Sequence, residues 1–196
     1  RGVLTQTQEA RLAEVAAALV RDLAEVATEE LHEAQKAIAE PQIQPVENAE
    51  SNAGVMTNTT LDGIGCKVVS IGARSKLDDV AAAMLGQIMT ADGAEVTPLS
   101  YVDLTPTRFA SLNATEADCV VLNFLDSNPS RASLLHIRRL KRAAPHLRVG
   151  LVLWQMPAEL IAGDDPATRI LAVSPEKRRE AEAIGADFVV TDAEAA

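Results

Sequence analysis

A nearly continuous apolar run that turns through small residues into a capped helical pattern limits the folds open to a chain more sharply than composition does. Gly65-Cys66-Lys67-Val68-Val69-Ser70-Ile71-Gly72-Ala73-Arg74-Ser75-Lys76-Leu77-Asp78-Asp79 is such a run. Its first half suits a strand covered on both faces, as strands of a parallel sheet are. Ser75 followed by Asp78 is an S-x-x-D capping box, which starts a helix at the end of that strand.

The same alternation continues downstream. Apolar runs near 66–72, 94–99, 117–125, 147–154 and 187–190 are separated by helical patterns near 75–91, 129–143 and 175–184, with a short helix expected from Pro106 to Leu112. Strand, helix, strand repeated in this way implies a parallel sheet joined by right-handed crossovers. The expected fold is α/β: a Rossmann-like or flavodoxin-like three-layer domain whose five parallel strands follow the order 2-1-3-4-5.

Ahead of this domain, residues from Thr5 to about Ile38 contain no Gly or Pro, while Leu12, Val15, Leu19, Leu23, Val26 and Leu31 recur beside Glu-rich positions. That is the pattern of a long amphipathic helix. Unbroken, 34 residues would extend about 50 Å; a break near Ala27 to Glu30 would shorten it. The helix suits packing on the domain, connection to something else, or dimerisation, and the pattern does not choose among these. Residues 40–64, with Pro41, Pro45, Asn48, Asn52, Gly54, Asn58 and Gly63, read as a polar linker. The expected organisation is therefore 1–39 helical segment, 40–64 linker and 65–196 α/β domain.

With 196 residues, the chain suits one such domain plus an appendage. Of its net charge of -10, the acidity is concentrated in residues 1–65, where 4 Lys and Arg stand against 11 Asp and Glu. An acidic chain with one Trp, one Tyr and three Phe has neither the basic field nor the stacking aromatics of nucleic-acid binding. Cys66 and Cys119 lie in apolar runs and are expected to be small buried hydrophobes in a reducing compartment. No run approaches the roughly 18 apolar residues of a membrane span. The chain opens at Arg1 and enters a helical pattern at once, which suggests a piece of something longer.

In an open parallel sheet, ligands bind beyond the carboxyl ends of the strands where the strand order reverses. Two loops meet there: Ala73-Arg74-Ser75-Lys76, and Asp126-Ser127-Asn128-Pro129, the latter read as a polar cap with Pro at the first helical position. Arg74, Ser75, Asp126, Ser127 and Asn128 are the candidate ligand-binding residues, because two helix N-termini and a guanidinium could hold a phosphate or carboxylate. The competing reading is that Ser75, Ser127 and Asn128 only cap helices and that Arg74 is solvated.

The specific motifs of this architecture fail in turn. G-x-G-x-x-G would have to follow the first strand to admit a pyrophosphate, and only Gly72 does. The D-x-H-x-x-G of a cobalamin module lacks its His. Asp126 stands where a receiver domain keeps its phosphoacceptor, yet the acid pair that would hold Mg²⁺ is replaced by Gly72-Ala73, and Thr191-Asp192 stands where the conserved Lys of that fold would end the fifth strand. His32, His136 and His146 form neither a triad nor a metal-ligand spacing. No catalytic residue, metal or cofactor is assigned. One basic run, Arg138, Arg139, Lys141, Arg142 and Arg148, carries five positive charges in eleven residues with no acid between them. This is either a solvated helix face or a partner- or membrane-facing patch, for which anionic lipid would supply at most about 5 kcal/mol.

The run Arg74 to Leu85, the pattern Pro129-x-x-x-x-Leu134-x-His136-x-Arg138-Arg139-Leu140-Lys141-Arg142, and Val149-Gly150-Leu151-Val152-Leu153-Trp154 resemble the soluble C-terminal extension of AI-2E-type permeases. The opening Arg1-Gly2-Val3-Leu4 and Leu19-Val20-Arg21-Asp22-Leu23 resemble the segment that leads into it; residues 40–64 carry no such match. The resemblance implies a non-enzymatic regulatory or assembly domain of a transporter, on the cytosolic face of the bacterial inner membrane. Its partners would be the membrane-spanning part of the same polypeptide, further copies of itself and anionic lipid. A free-standing module for a small anionic ligand, or a degenerate receiver-like interaction domain, is the alternative.

Overall fold

The computed structural model describes residues 5–39, 63–105, 107, 116–155 and 173–192, with side chains of the first helix described as far as Glu29. Five strands form one all-parallel sheet: β1 (Lys67–Gly72), β2 (Glu95–Leu99), β3 (Cys119–Phe124), β4 (Arg148–Leu153) and β5 (Phe188–Val190). Their order is β2-β1-β3-β4-β5, as the alternation of runs predicts. The helices are α1 (Gln6–Ala39), α2 (Lys76–Ala91), α3 (Arg131–Ala143) and α4 (Pro175–Ile184), and a single 3₁₀ turn, Tyr101–Asp103, follows β2. Most of the expected Pro106–Leu112 helix and of the 40–64 linker lies outside the described residues. Gly63 to Gly65 form a turn held to the end of α2, where the Gly63 N–H donates to Asp92 O at 3.1 Å.

Strand alternation divides the core in two. Val69, Ile71, Val120, Leu122, Phe124, Val149, Leu151 and Leu153 pack with Leu134, Ile137 and Leu140 of α3 and Ala181 of α4. Their neighbours Val68, Val121 and Val152 face the other way, onto Leu85 of α2. The sheet thus has helices on both faces, as a parallel sheet requires. β2 is an edge strand, paired only with β1, and it accommodates Pro98 accordingly.

The helix ends follow local chemistry. Ser75 caps α2 and Ser174 caps α4, whose first residue is Pro175. The start of α3 differs from the sequence reading: the cap is Ser130, whose hydroxyl accepts from Ser133 N, and Arg131 rather than Pro129 opens the helix. Four capping-type residues crowd positions 126 to 130, and the first of them, Asp126, is engaged with Arg74 and the Asn128 N–H. Cys66 is also corrected, being exposed just ahead of β1, while Cys119 is half-buried and its thiol is pushed up to about 11 by that burial.

The α1 helix runs unbroken through Ala27 to Glu30, with the Thr28 hydroxyl donating to Ala24 O at 2.7 Å within the helix. It begins in a reciprocal cap: Gln8 N donates to Thr5 Oγ1 and Thr5 N to Gln8 Oε1. One stripe of small residues, Ala13, Ala16 and Ala17 with Val20, packs on Leu77, Val80 and Ala83 of α2. Gln87 Nε2 donates to Val20 O at 2.7 Å, while Glu9 and Ala10 line a cleft with Ser75 and Lys76, so α1 and α2 run in the same direction.

Candidate functional site

The expected crevice lies between the end of β1 and the end of β3, and the two loops meet there. Ala73 N donates to Asn123 O at 3.0 Å, and Arg74 Nη1 lies 3.2 Å from Asp126 Oδ2. Gly72 is dictated by this junction: a Cβ there would sit 2.5 Å from Asp79 N and 2.8 Å from Asp78 C, so α2 could not start so close to the strand.

The centre of the junction is Asp78, which is buried. Its Oδ2 accepts from Arg74 N at 3.0 Å and Ser75 N at 3.1 Å, and its Oδ1 accepts from Leu125 N at 2.9 Å. The capping-box role is present, but the same carboxylate also ties the β1–α2 turn to the end of β3. Burial pushes its pKa above the ordinary carboxylate value, against the pull of those N–H donors and of Arg74. Asp79 makes a second tie, accepting from Ser100 Oγ at 2.6 Å and Tyr101 N at 2.7 Å, and burial raises its pKa as well.

Of the other candidates, Ser75 is engaged as the α2 cap, and Asp126 Oδ1 accepts from Asn128 N at 3.0 Å to close a local turn. Ser127 is buried and Asn128 exposed. The loop N–H groups that could have met an external anion at Arg74 and Ser75 thus already meet Asp78. Beside them, between the first turns of α1 and α2, is an open cleft of about 480 Å³ with Arg74 and Lys76 on its wall and Glu9 opposite in charge.

The structure divides the basic run between paired and exposed side chains. Lys141 pairs with Asp187 and donates to Leu147 O at 3.0 Å, fastening α3 to the base of β5. The Arg148 guanidinium stacks 5.7 Å from the Phe188 ring centroid. Arg138, Arg139 and Arg142 are exposed. Burial, with Arg139 nearby, lowers the pKa of half-buried His136, and His146 is exposed.

One polar line was missed by the sequence reading. Trp154 Nε1 donates to Asn123 Oδ1 at 3.1 Å, Asn123 Nδ2 to Ser70 Oγ at 3.1 Å, and Ser70 Oγ to Ala82 O at 2.9 Å. Ser70 and Asn123 are both wholly buried. The available signal was a polar residue in each of two otherwise apolar strands, since such a position needs a partner.

Among the described residues there is no cluster of His, Cys, Asp or Glu that could hold a metal, and no helix long and apolar enough to cross a membrane. Fold and junction together define a parallel α/β domain in which one buried carboxylate, Asp78, ties the β1–α2 turn to the end of β3. No protein-family model, curated protein or solved structure matches the chain.

Proposed function

We propose that the chain is a non-enzymatic regulatory or assembly domain, the cytosolic tail of a bacterial membrane permease of the AI-2E type. The observation that supports a non-catalytic role is Asp78: its carboxylate takes the Arg74, Ser75 and Leu125 N–H groups at the one point where a sheet of this order would receive a ligand. Loop N–H groups already taken from within favour signalling through surfaces over turnover. The transporter itself comes from the resemblance of the Arg74–Leu85 and Pro129–Arg142 runs, and the solute path would belong to the membrane-spanning part. The exposed Arg138, Arg139 and Arg142 suit anionic headgroups, and a domain already tethered needs little further affinity.

Fractionation of native cells with an antibody to this domain tests the reading. The expected result is a band far above 20.8 kDa that stays in the membrane pellet after an alkaline wash. A soluble band near 20.8 kDa overturns it. Deleting residues 66–196 from the whole protein is then expected to alter transport or oligomerisation.

A second reading, a module for a small anionic ligand, is favoured by the cleft beside Arg74 and Lys76. It predicts saturable thermal stabilisation by inorganic phosphate that is lost in Arg74→Ala.

A further inference from the structure

We infer that α1 carries a second interface, a seam for antiparallel pairing with another copy of this chain about a two-fold axis at Leu19. The inference goes beyond the transporter reading and stands without it. Leu12, Val15, Leu19, Leu23 and Val26 are 49 to 69% exposed, the largest group of exposed apolar side chains among the described residues. They are separate from the stripe that holds α1 to α2, which consists of Ala13, Ala16, Ala17 and Val20. At 100° per residue the five fall within about 80° of one another, roughly 110° around the helix from the packed stripe.

Two features identify the occupant as a second copy. The first is spacing. Steps of three, four, four and three residues average 3.5, the period of a seam between two helices. The series also reads the same in both directions about Leu19: Leu12 is seven residues before it and Val26 seven after, Val15 four before and Leu23 four after. An antiparallel pair centred there meets itself layer by layer, Leu12 on Val26, Val15 on Leu23 and Leu19 on Leu19. Self-complementarity of this kind is the property of a two-fold interface.

The second feature is charge. On the outer flank of the seam Arg11 stands near the start, whereas Asp22, Glu25 and Glu29 follow towards the other end. In an antiparallel pair like flanks meet, and Arg11 falls between Glu25 and Glu29 of the second copy. In a parallel pair unlike flanks meet, so Asp22, Glu25 and Glu29 would face the other copy's Ala-rich side, where Ala16, Val20 and Ala27 stand and no base does. A seam of four turns is at the small end of specific interfaces, below about 1,200 Å², so the pair should dissociate on dilution.

Sedimentation velocity on the full chain tests the seam. The expected species is twice 20.8 kDa, forming as concentration rises. Leu19→Arg should abolish it while leaving far-UV circular dichroism and the thermal midpoint of the dilute protein unchanged, because Leu19 makes no core contact. Cysteine cross-linking in a Cys66→Ser background decides the direction. Leu19→Cys should cross-link to itself, and Leu12→Cys mixed with Val26→Cys should cross-link between chains. Leu12→Cys alone should not, since its two copies would be about 21 Å apart along the helix. A chain monomeric throughout its soluble range overturns the proposal, as does a dimer that survives Leu19→Arg. Self-linking of Leu12→Cys as complete as that of Leu19→Cys overturns the antiparallel arrangement.

Discussion

Against α3 and α4 the sheet presents Val69, Ile71, Leu122, Phe124 and Leu151, which meet Leu134, Ile137 and Leu140 in one apolar cluster. Against α2 it presents Ser70 and Asn123, joined to each other, to the Ala82 carbonyl and to the Trp154 indole. One face is held by area and shape, which tolerate small errors of register. The other adds to its packing of Val68, Val121 and Val152 on Leu85 a set of directional bonds, which do not. The helices reflect the difference, since α3 contributes large aliphatic side chains and α2 approaches closely enough that Gly72 and Gly86 are buried beneath or within it.

The comparison can be broken most forcefully on the apolar face. Phe124→Ala should cost about 3 to 5 kcal/mol in urea unfolding, because a wholly buried ring leaves a cavity that strands on either side cannot close. If the loss is under about 1 kcal/mol, that face is not held by packing.

On the polar face, Asn123→Ala removes few contacts but leaves the Trp154 N–H without its acceptor and the Ser70 oxygen without the donor it accepts from, and is expected to cost about 2 to 3 kcal/mol. Combining it with Ser70→Ala should cost less than the two single changes together, since partners removed as a pair leave fewer groups unsatisfied.

The acid range sharpens the contrast between two carboxylates. Asp78 has its pKa raised by burial, so the folded state binds its proton more readily than the unfolded one, and stability falls as pH rises from the ordinary 3.8 through the raised value. Asp187 has the opposite sign. Burial works against its ionisation, but the Lys141 and Val149 N–H donors prevail and hold the carboxyl below 3.8. Its contribution is present above the unfolded value and is lost as pH falls through the folded one. Urea midpoints measured across this range should therefore show Asp78→Asn removing a falling limb and Asp187→Asn removing a rising one. Slopes of the same sign in both variants would contradict the assignment.

The smallest effect is expected at the candidate site itself. The Arg74–Asp126 pair is largely solvated, and Arg74→Ala should change stability by under about 1 kcal/mol. A larger loss would mean that Arg74 supports the Asp78 junction rather than merely flanking it.

The sheet was legible because β1, β3 and β4 are nearly continuous apolar runs bounded by turn residues, as parallel strands covered on both faces are, and β2 and β5 fall where the alternation with helices puts them. The strand order is the flavodoxin-like one expected of five such strands, although right-handed crossovers alone would also admit 3-2-1-4-5. Ser75 and Asp78 announced the α2 cap, yet nothing local connects Asp78 with Leu125, 47 residues away; that bond exists only once β1 and β3 are side by side. The start of α3 was misread for a related reason, because Ser127, Asn128 and Ser130 are equivalent as capping types and the Asp126–Asn128 turn decides among them. In α1 the exposed stripe and the packed one are both apolar, so periodicity alone could not tell which faces the domain.

Trp154 is the chain's one tryptophan, and its indole is fastened across the sheet while α1 lies on the far side of α2. The molecule therefore carries a built-in fluorophore that sees only one of its layers. Peeling α1 away should leave the emission maximum where it is, whereas parting β3 from β4 should shift it to the red. Light absorbed at one residue thus separates the detachment of the outer helix from the melting of the sheet.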